Sequence, residues 1–301
     1  MPPSPFPTFW DALHRPPARQ LRCRLRRIHH EPASRRSPLL LLHGFPDSEQ
    51  MYDAYITPAE REQDWLRGRS IYAIVLPNRR TNPNWPSLHD LWHGRLAREV
   101  AALIDVVIAA SPTDKVTIIA HNWGATFTWM RVRQRPDLPI ERMVALSVGS
   151  SFRYDVGEHG VGALWWLYGV LFGLPYYLPP ARFLTAAALI AGGYRAPDAD
   201  KAAYDSFHYW DWPLTLARLP WRLAGYGQQP PFTDIRFPVL FIRSPLDRIA
   251  ATAGFEQALR QRPDCVVHLT DNPHWFPEQR PAEVLRLVRS FLADEASSLY
   301  I

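Results

Sequence analysis

Short, strongly apolar runs recur along the chain, and longer segments with helix-like apolar spacing lie between them. The runs are typical of buried strands: LLLLHG, IYAIVLP, VTIIAH, MVALSVG, VLFIRS and CVVHL. Helical spacing is clear in LHDLWHGRLAREVAALIDVVIAA and PAEVLRLVRSFLADE. Strands that alternate with helices form a mostly parallel sheet with helices on its faces. The alternation therefore predicts an α/β fold.

Residues 151–233 interrupt this alternation, because they are rich in Trp, Tyr and Pro and contain no clear strand. We interpret them as a helical cap inserted after the sixth parallel-type strand, on a core formed by residues 1–150 and 234–301. A chain of 301 residues, 47% of them hydrophobic, is long enough for one large domain with such an insertion. Two stretches of the insertion, WWLYGVLFGLPYYLPP and FLTAAALIAGGY, predict an apolar pocket wall.

Part of this cap, residues 159–181, contains no Asp, Glu, Lys or Arg and is long enough to cross a bilayer. Pro175, Pro179 and Pro180 argue against a membrane span, and a cap helix along an apolar tunnel explains the same composition. The proline-rich residues 1–20 lack the apolar centre of a signal peptide. We expect no transmembrane span and a cytoplasmic protein, with peripheral membrane contact through the cap left open.

Charge and cysteine content exclude several classes of function. The net charge is +5, but the arginines are scattered and only Lys115 and Lys201 are lysines. In RQLRCRLRRIHH the apolar Leu21, Cys23 and Leu25 alternate with arginines, which predicts a half-buried strand with a solvated basic face. No nucleic-acid recognition motif accompanies the charge. Two cysteines are too few for a disulfide framework. The sequence has no ligand cluster at zinc spacing and no glycine-rich phosphate loop, so we expect no cofactor.

Polar residues follow four of the predicted strands. Ligands bind at the carboxyl ends of strands in an open parallel sheet, so these residues are candidates for a site. They are HGFPDS (43–48), AHNWGA (120–125), RSPLDR with Asp247, and His274. AHNWGA lies between an apolar run and a helix-like segment, which is the setting in which hydrolases display a nucleophile. Asn122 at the tip of this turn, the acid Asp247 and His274 follow one another in the chain order of an α/β-hydrolase triad.

Together these motifs resemble the α/β-hydrolases of the epoxide hydrolase and haloalkane dehalogenase branch, from about Leu21 to Leu292. HGFPDS resembles the HGxP motif of that branch, and AHNWGA resembles its G-H-D-W-G-[GA] nucleophile elbow. FIRSPLDRI and DNPHWFPEQRPAEV resemble its acid and histidine segments. The resemblance implies an α/β-hydrolase fold with a helical cap. With the apolar cap, it implies hydrolysis of a fairly large, apolar small molecule.

The resemblance also implies roles for particular residues. In this branch an elbow aspartate attacks an electrophilic carbon to form an ester, and a histidine activates the water that hydrolyses it. Asn122 occupies the attacking position, His274 the position of the base, and Asp247 would accept the other ring N–H of the histidine. The backbone N–H groups of Phe45 and Trp123 would form the oxyanion hole. The alternative is that Asp247 only caps a loop and His274 only supports a turn.

Epoxide hydrolases also use two cap tyrosines that hold and protonate the opening epoxide oxygen. Tyr168 lies where the first is expected, although it could be a packing aromatic. PLTLARLPWRLAG resembles the family form LTxxLNYYR and places Trp221 at the second position. An indole N–H donates a hydrogen bond but cannot deliver its proton, so Tyr168 would act alone unless Tyr209 or Tyr226 substitutes. Trp123 and Trp221 could instead bind a leaving halide, which keeps a haloalkane dehalogenase as the alternative.

Asn122 raises the main question about function, because a neutral amide is a far poorer nucleophile than a carboxylate. It is an introduced substitution, or a natural variation in a ligand-binding pseudo-hydrolase or a proton-transfer enzyme, or a residue that the protein's own hydrolytic machinery converts to aspartate. Relatives carry a PDxRGxG pattern where this chain has Asn78 and Asn82. Divergence beyond the elbow favours a natural variant.

Two other sets of polar residues receive different interpretations. His43 is expected to support the HGFPDS loop rather than to act as a base. A serine esterase is not favoured, because Ser147, Ser150 and Ser151 follow a different strand from the elbow.

Overall fold

The computed structural model describes residues 22–78, 81–82, 94–150, 178, 182–191, 193–194, 234–247 and 253–293. Its strands are β1 (Arg24–His29), β2 (Leu39–Leu42), β3 (Ile71–Val75), β4 (Val116–His121), β5 (Ile140–Leu146), β6 (Val239–Arg243) and β7 (Val266–Leu269). They form one sheet in the order β1-β3-β2-β4-β5-β6-β7. β1 is antiparallel to β3 and the other neighbours are parallel.

Helices connect the strands and cover both faces of the sheet. They are a 3-10 helix (Glu49–Tyr55), α1 (Pro58–Arg61), α2 (Arg95–Ala109), α3 (Trp123–Gln134), α4 (Arg182–Ala191), α5 (Ala253–Arg260), α6 (Phe276–Gln279) and α7 (Pro281–Leu292). Because side chains alternate along a strand, β2 contributes to two separate cores. Leu40 and Leu42 pack with α2, α3 and α5, whereas Leu39 and Leu41 pack with the 3-10 helix and α7.

The predicted mostly parallel sheet with flanking helices is confirmed, and the six apolar runs correspond to β2–β7. The N-terminal strand also forms as β1, with Arg24 and Arg26 exposed and Cys23 buried. The prediction for Arg22 was wrong: it was expected on the solvated face of the strand, and it is buried. It precedes the strand, and its backbone N–H donates to the buried Glu99 carboxylate at 2.6 Å. Strand alternation therefore does not apply to it.

The position of the insertion also differs from expectation. In the part of the chain that the structure describes, β5 is the fifth strand and the fourth parallel one, so residues 151–233 do not follow a sixth parallel strand. Within the insertion, α4 agrees with a helical cap, but the division into core and cap stays a prediction. The apolar run 159–181 lies outside the described residues. No described helix has the length and apolar character needed to span a bilayer.

Candidate active site

The candidate site lies at the carboxyl edge of the sheet, where the loops after β2, β4, β6 and β7 meet. Asn122 follows β4 directly and caps the N-terminus of α3. Asp247 lies four residues beyond the end of β6, and His274 lies in the loop between β7 and α6. Because β4, β5, β6 and β7 are successive neighbours in the sheet, residues distant in sequence are brought to one place.

Asn122 sits on a sharp turn that two glycines make possible. Its φ is 51° and its ψ is −118°, a conformation that L-residues rarely adopt. A Cβ on Gly44 would lie 2.3 Å from the Cβ of Asn122, and one on Gly124 would lie 2.3 Å from the Leu42 carbonyl oxygen. Strained backbone persists where its surroundings determine it, and such positions cluster at functional sites. The turn presents the Asn122 side chain to the loops around it.

The three side chains expected to act together are in hydrogen-bond contact. His274 Nδ1 lies 2.5 Å from Asp247 Oδ2, and His274 Nε2 lies 2.5 Å from Asn122 Nδ2. An ionised carboxylate only accepts, so Nδ1 carries the ring proton, and Nε2 accepts an N–H from the amide. All three residues are buried, between 5% and 8% exposed. This neutral tautomer is the one that a general base requires at Nε2.

The other end of the Asn122 amide faces the two expected oxyanion-hole groups. Its Oδ1 accepts from the Trp123 N–H at 2.6 Å and from the Phe45 N–H at 3.3 Å. The Trp275 indole donates to the Phe45 carbonyl at 3.2 Å and so holds the next peptide unit of the same loop. Two fixed N–H groups aimed at one carbonyl oxygen stabilise the negative charge that develops there when the carbonyl is attacked.

His43 supports the HGFPDS loop, as expected from the sequence. Its Nε2 accepts the Leu76 backbone N–H at 3.0 Å, so the proton is on Nδ1, which lies 3.0 Å from the Gly44 carbonyl oxygen. Burial lowers the pKa of His43 below its usual range. Both ring nitrogens are therefore engaged by the backbone of two strand-end loops.

Sequence reasoning missed two residues that contact the backbone of His274. His121 is fully buried and donates from Nε2 to the His274 carbonyl at 3.2 Å. Burial, and then the neighbouring His274 ring, holds the pKa of His121 well below its usual range, so the ring is neutral. Ser147 donates from its hydroxyl to the same carbonyl at 2.9 Å. Only the place of His121 beside the elbow and of Ser147 after a strand could have indicated them.

Among the described residues of the inserted segment, Tyr194 and Gly193 contact the loops around the site. Tyr194, which is fully buried, donates to Asp47 Oδ1 at 2.8 Å and packs edge-on against Trp275 at 5.2 Å between ring centroids. Beside it, Gln279 donates to the Gly193 carbonyl at 3.0 Å. The end of α4 thus contacts the HGFPDS loop and the segment after His274. Its sequence signal is weak, a tyrosine that follows two glycines.

Most residues expected to contact substrate belong to the segment 151–233. Tyr168, Trp221, Tyr209 and Tyr226 lie outside the described residues. Trp123 is described and is half-buried, with its ring 5.6 Å from that of Phe127. Among the residues that the structure describes, no group of three His, Cys, Asp or Glu side chains could hold a metal ion.

The asparagines of the divergent 77–85 segment have structural roles. Asn78 donates to the Leu76 carbonyl at 2.9 Å and accepts the Thr81 N–H at 2.8 Å. Asn82 donates to the carbonyls of Arg22 and Val75 at 2.7 and 2.9 Å. Both asparagines are buried. The Asn78 amide closes a turn with Thr81, whereas the Asn82 amide joins this segment to Arg22 and Val75.

Comparison with known proteins shows which family the chain resembles. The model described as "Alpha/beta hydrolase family" matches residues 39–287. A comparison with curated proteins returned no match. Among solved structures, a mutant epoxide hydrolase from Bacillus megaterium is 17% identical with a TM-score of 0.65, covering 89% of this chain and 96% of its own.

Two further structures show the same fold. Epoxide hydrolase A from Mycobacterium thermoresistibile is 20% identical with a TM-score of 0.59, and the match covers 90% of this chain and 95% of that one. A haloalkane dehalogenase loop variant from Bradyrhizobium elkanii is 17% identical with a TM-score of 0.57, covering 92% and 99%. These likenesses establish the architecture, and the family model covers most of the chain. The protein belongs to the alpha/beta hydrolase family.

Proposed function

We propose that the protein is an epoxide-hydrolase-like enzyme for apolar small molecules, which uses a covalent ester route once residue 122 carries a carboxylate. The observation that carries this proposal is the position of the Asn122 side chain. One amide atom contacts His274 Nε2 and the other accepts from Trp123 and Phe45. The epoxide hydrolases among the structural neighbours support the choice of branch.

With a carboxylate at residue 122, the proposed reaction has the following steps. The carboxylate oxygen attacks an epoxide carbon, that carbon–oxygen bond breaks, and an ester forms. His274 then removes a proton from water, which attacks the ester carbonyl, while Asp247 stabilises the resulting imidazolium. The N–H groups of Phe45 and Trp123 hold the oxyanion, and its collapse expels the product alkoxide. The alkoxide takes the imidazolium proton to leave as the diol, and the acid at residue 122 loses its proton to solvent and becomes a carboxylate again. Tyr168 is proposed to protonate the opened epoxide oxygen.

The same contacts favour hydrolysis of the Asn122 amide by the protein itself. Water deprotonated by His274 attacks Cγ, and negative charge develops on Oδ1 beside its two N–H donors. His274 Nε2, 2.5 Å from Nδ2, returns the proton to the leaving nitrogen. Ammonia departs and an aspartate remains. We propose that this slow reaction converts the native chain into the active form.

Mass spectrometry of the peptide that contains residue 122 tests the conversion. After long incubation we expect an amide-to-acid mass shift that is absent in His274→Ala. Asn78 is the matched control, because it is also buried but bonds to Leu76 and Thr81 instead of a histidine. Retention of the amide at 122 in the native chain, or equal conversion at 78, would rule out self-conversion.

Product analysis tests the epoxide proposal separately. The native protein and an Asn122→Asp variant are incubated with styrene-oxide-type and longer lipid epoxides. We expect diol from the variant and its loss when His274→Ala is added. If the variant forms no diol and His274→Ala changes nothing, the protein is not an epoxide hydrolase.

Two alternatives have an observation in their favour. A haloalkane dehalogenase is also a structural neighbour, and the half-buried Trp123 next to Asn122 could hold a halide, so halide release from haloalkanes identifies that activity. The amide at 122 favours a ligand-binding pseudo-hydrolase. That alternative predicts thermal stabilisation by epoxides or diols without product in any variant.

A further inference from the structure

Ser147 has a left-handed backbone conformation, which is uncommon for a residue other than glycine. It is one of three non-glycine residues with positive φ among those described, together with Asp114 and Asn122. Asp114 lies in an exposed turn, whereas Ser147 is 1% exposed at the carboxyl end of β5. Its φ is 68°, and its N–H donates to the Ile242 carbonyl at 2.8 Å. Glycine adopts this conformation without strain, so the serine side chain must contribute something that glycine lacks.

That contribution is a hydrogen bond to the loop that carries the base. The Ser147 hydroxyl and His121 Nε2 both donate to the His274 carbonyl oxygen, at 2.9 and 3.2 Å. A carbonyl oxygen has two lone pairs, and these two donors occupy both. Ser147 follows β5 and His121 is the last residue of β4, whereas His274 follows β7. The base is therefore anchored to strands other than its own.

Such anchoring matters because the His274 ring makes two short contacts with different elements. Nδ1 is 2.5 Å from Asp247 and Nε2 is 2.5 Å from Asn122, on the loops after β6 and β4. The loop between β7 and α6 has no strand or helix of its own at His274. A small displacement of its backbone would break one contact or the other.

We propose that Ser147 is a positioning residue for His274, and that its hydroxyl and the His121 ring form a two-donor clamp on the His274 carbonyl. The role of the clamp rests on the proposed function only in so far as His274 is the base. Serine suits the position, since alanine would bring the strain without the hydrogen bond. The neutral His121 adds no positive charge beside the base.

The test uses Ser147→Gly, which removes the hydroxyl while relieving the left-handed backbone. The first measurement needs no turnover. In native protein with isotope-labelled histidine, the ring-nitrogen chemical shifts of His274 report which nitrogen carries the proton. We expect one Nδ1–H tautomer in the native chain and a mixture in Ser147→Gly, with an unchanged or raised Tm. Asp114→Gly, the matched exposed position, leaves the shifts unchanged.

The second measurement is kinetic, in the Asn122→Asp background. Ser147→Gly is expected to lower kcat roughly ten- to a hundredfold with little change in KM, because misplacement of a catalytic group slows the chemical step. His121→Gln retains an N–H donor and should lose less than His121→Phe. Because both donors act on one oxygen, effects of the double variant should not add.

The clamp is wrong if Ser147→Gly leaves both the His274 nitrogen shifts and kcat unchanged. A lowered Tm with unchanged shifts would also contradict it, since Ser147 would then serve stability alone. If no variant hydrolyses epoxides, the nitrogen shifts still decide the matter. Failure of the clamp and failure of the proposed function are therefore distinguished.

Discussion

Asparagine side chains lie in two turns of this molecule, and their hydrogen-bond partners differ. In the 76–82 turn, Asn78 and Asn82 donate to backbone carbonyls and complete the local fold. At the elbow, Asn122 contacts a histidine ring and two N–H groups arranged for carbonyl chemistry. The amides of the first turn hold the backbone, whereas under the proposed function the surroundings of Asn122 suit a carboxylate. Under that proposal the amides have a structural role at Asn78 and Asn82 and a chemical one at Asn122.

The largest expected effect is on the rate of diol formation, which should depend on residue 122 and not on residue 78. Asn122→Asp should raise the rate of diol formation on the order of a thousandfold or more, because a carboxylate replaces a neutral amide as nucleophile. Asn78→Asp should give no activity, since it places the same charge outside the site. Diol quantified per enzyme over time decides between them. Equal rates for native chain and Asn122→Asp would mean that residue 122 is not the nucleophile or has already converted, and mass spectrometry separates these outcomes.

A second comparison concerns the space around the elbow. Gly44→Ala should lower the free energy of unfolding by about 3 kcal/mol, because its Cβ would overlap the Asn122 side chain. Gly68 also has positive φ, at 71°, but nothing lies within 4 Å of an added Cβ. Gly68→Ala should cost only about 1 kcal/mol, for backbone strain. Urea unfolding measures both, and similar losses would contradict the close approach at the elbow.

The divergent turn should matter for stability alone. Asn82→Ala leaves the carbonyls of Arg22 and Val75 without this donor, at an expected loss of about 2 kcal/mol. In the Asn122→Asp background it should leave kcat for diol formation unchanged. A fall in kcat without loss of stability would show that the 76–82 turn takes part in catalysis.

The smallest effect concerns pH. The pKa of His121 is lowered by burial and by His274, and that of His43 by burial, from a usual value of 6.5. Below this pH the unfolded chain takes up protons that the native state excludes, so the free energy of unfolding falls as pH decreases. His121→Gln removes one titrating ring and should flatten the decrease. Urea midpoints across a pH series measure it, and an unchanged slope would contradict the assignment.

The sheet and the three contacting side chains were accessible from sequence because both depend on local pattern. Apolar runs mark β2–β7, and the polar motifs follow strands whose ends must meet. The burial of Arg22 was not accessible, because its partner Glu99 lies 77 residues away. The same holds for Ser147, which contacts His274 across 127 residues. No local pattern records a hydrogen bond between side chain and backbone over such distances.

The contact between Tyr194 and Asp47 has a consequence for replacing residues 151–233, the segment interpreted as a lid, with that of another hydrolase. The phenol of the inserted segment is bonded to the loop that supplies the Phe45 N–H, and its ring packs on the neighbour of the base. A transplanted lid would need a hydrogen-bond donor and an aromatic face at this one place. Chimaeras without them should hold the loop that carries Phe45 with one fixed partner fewer.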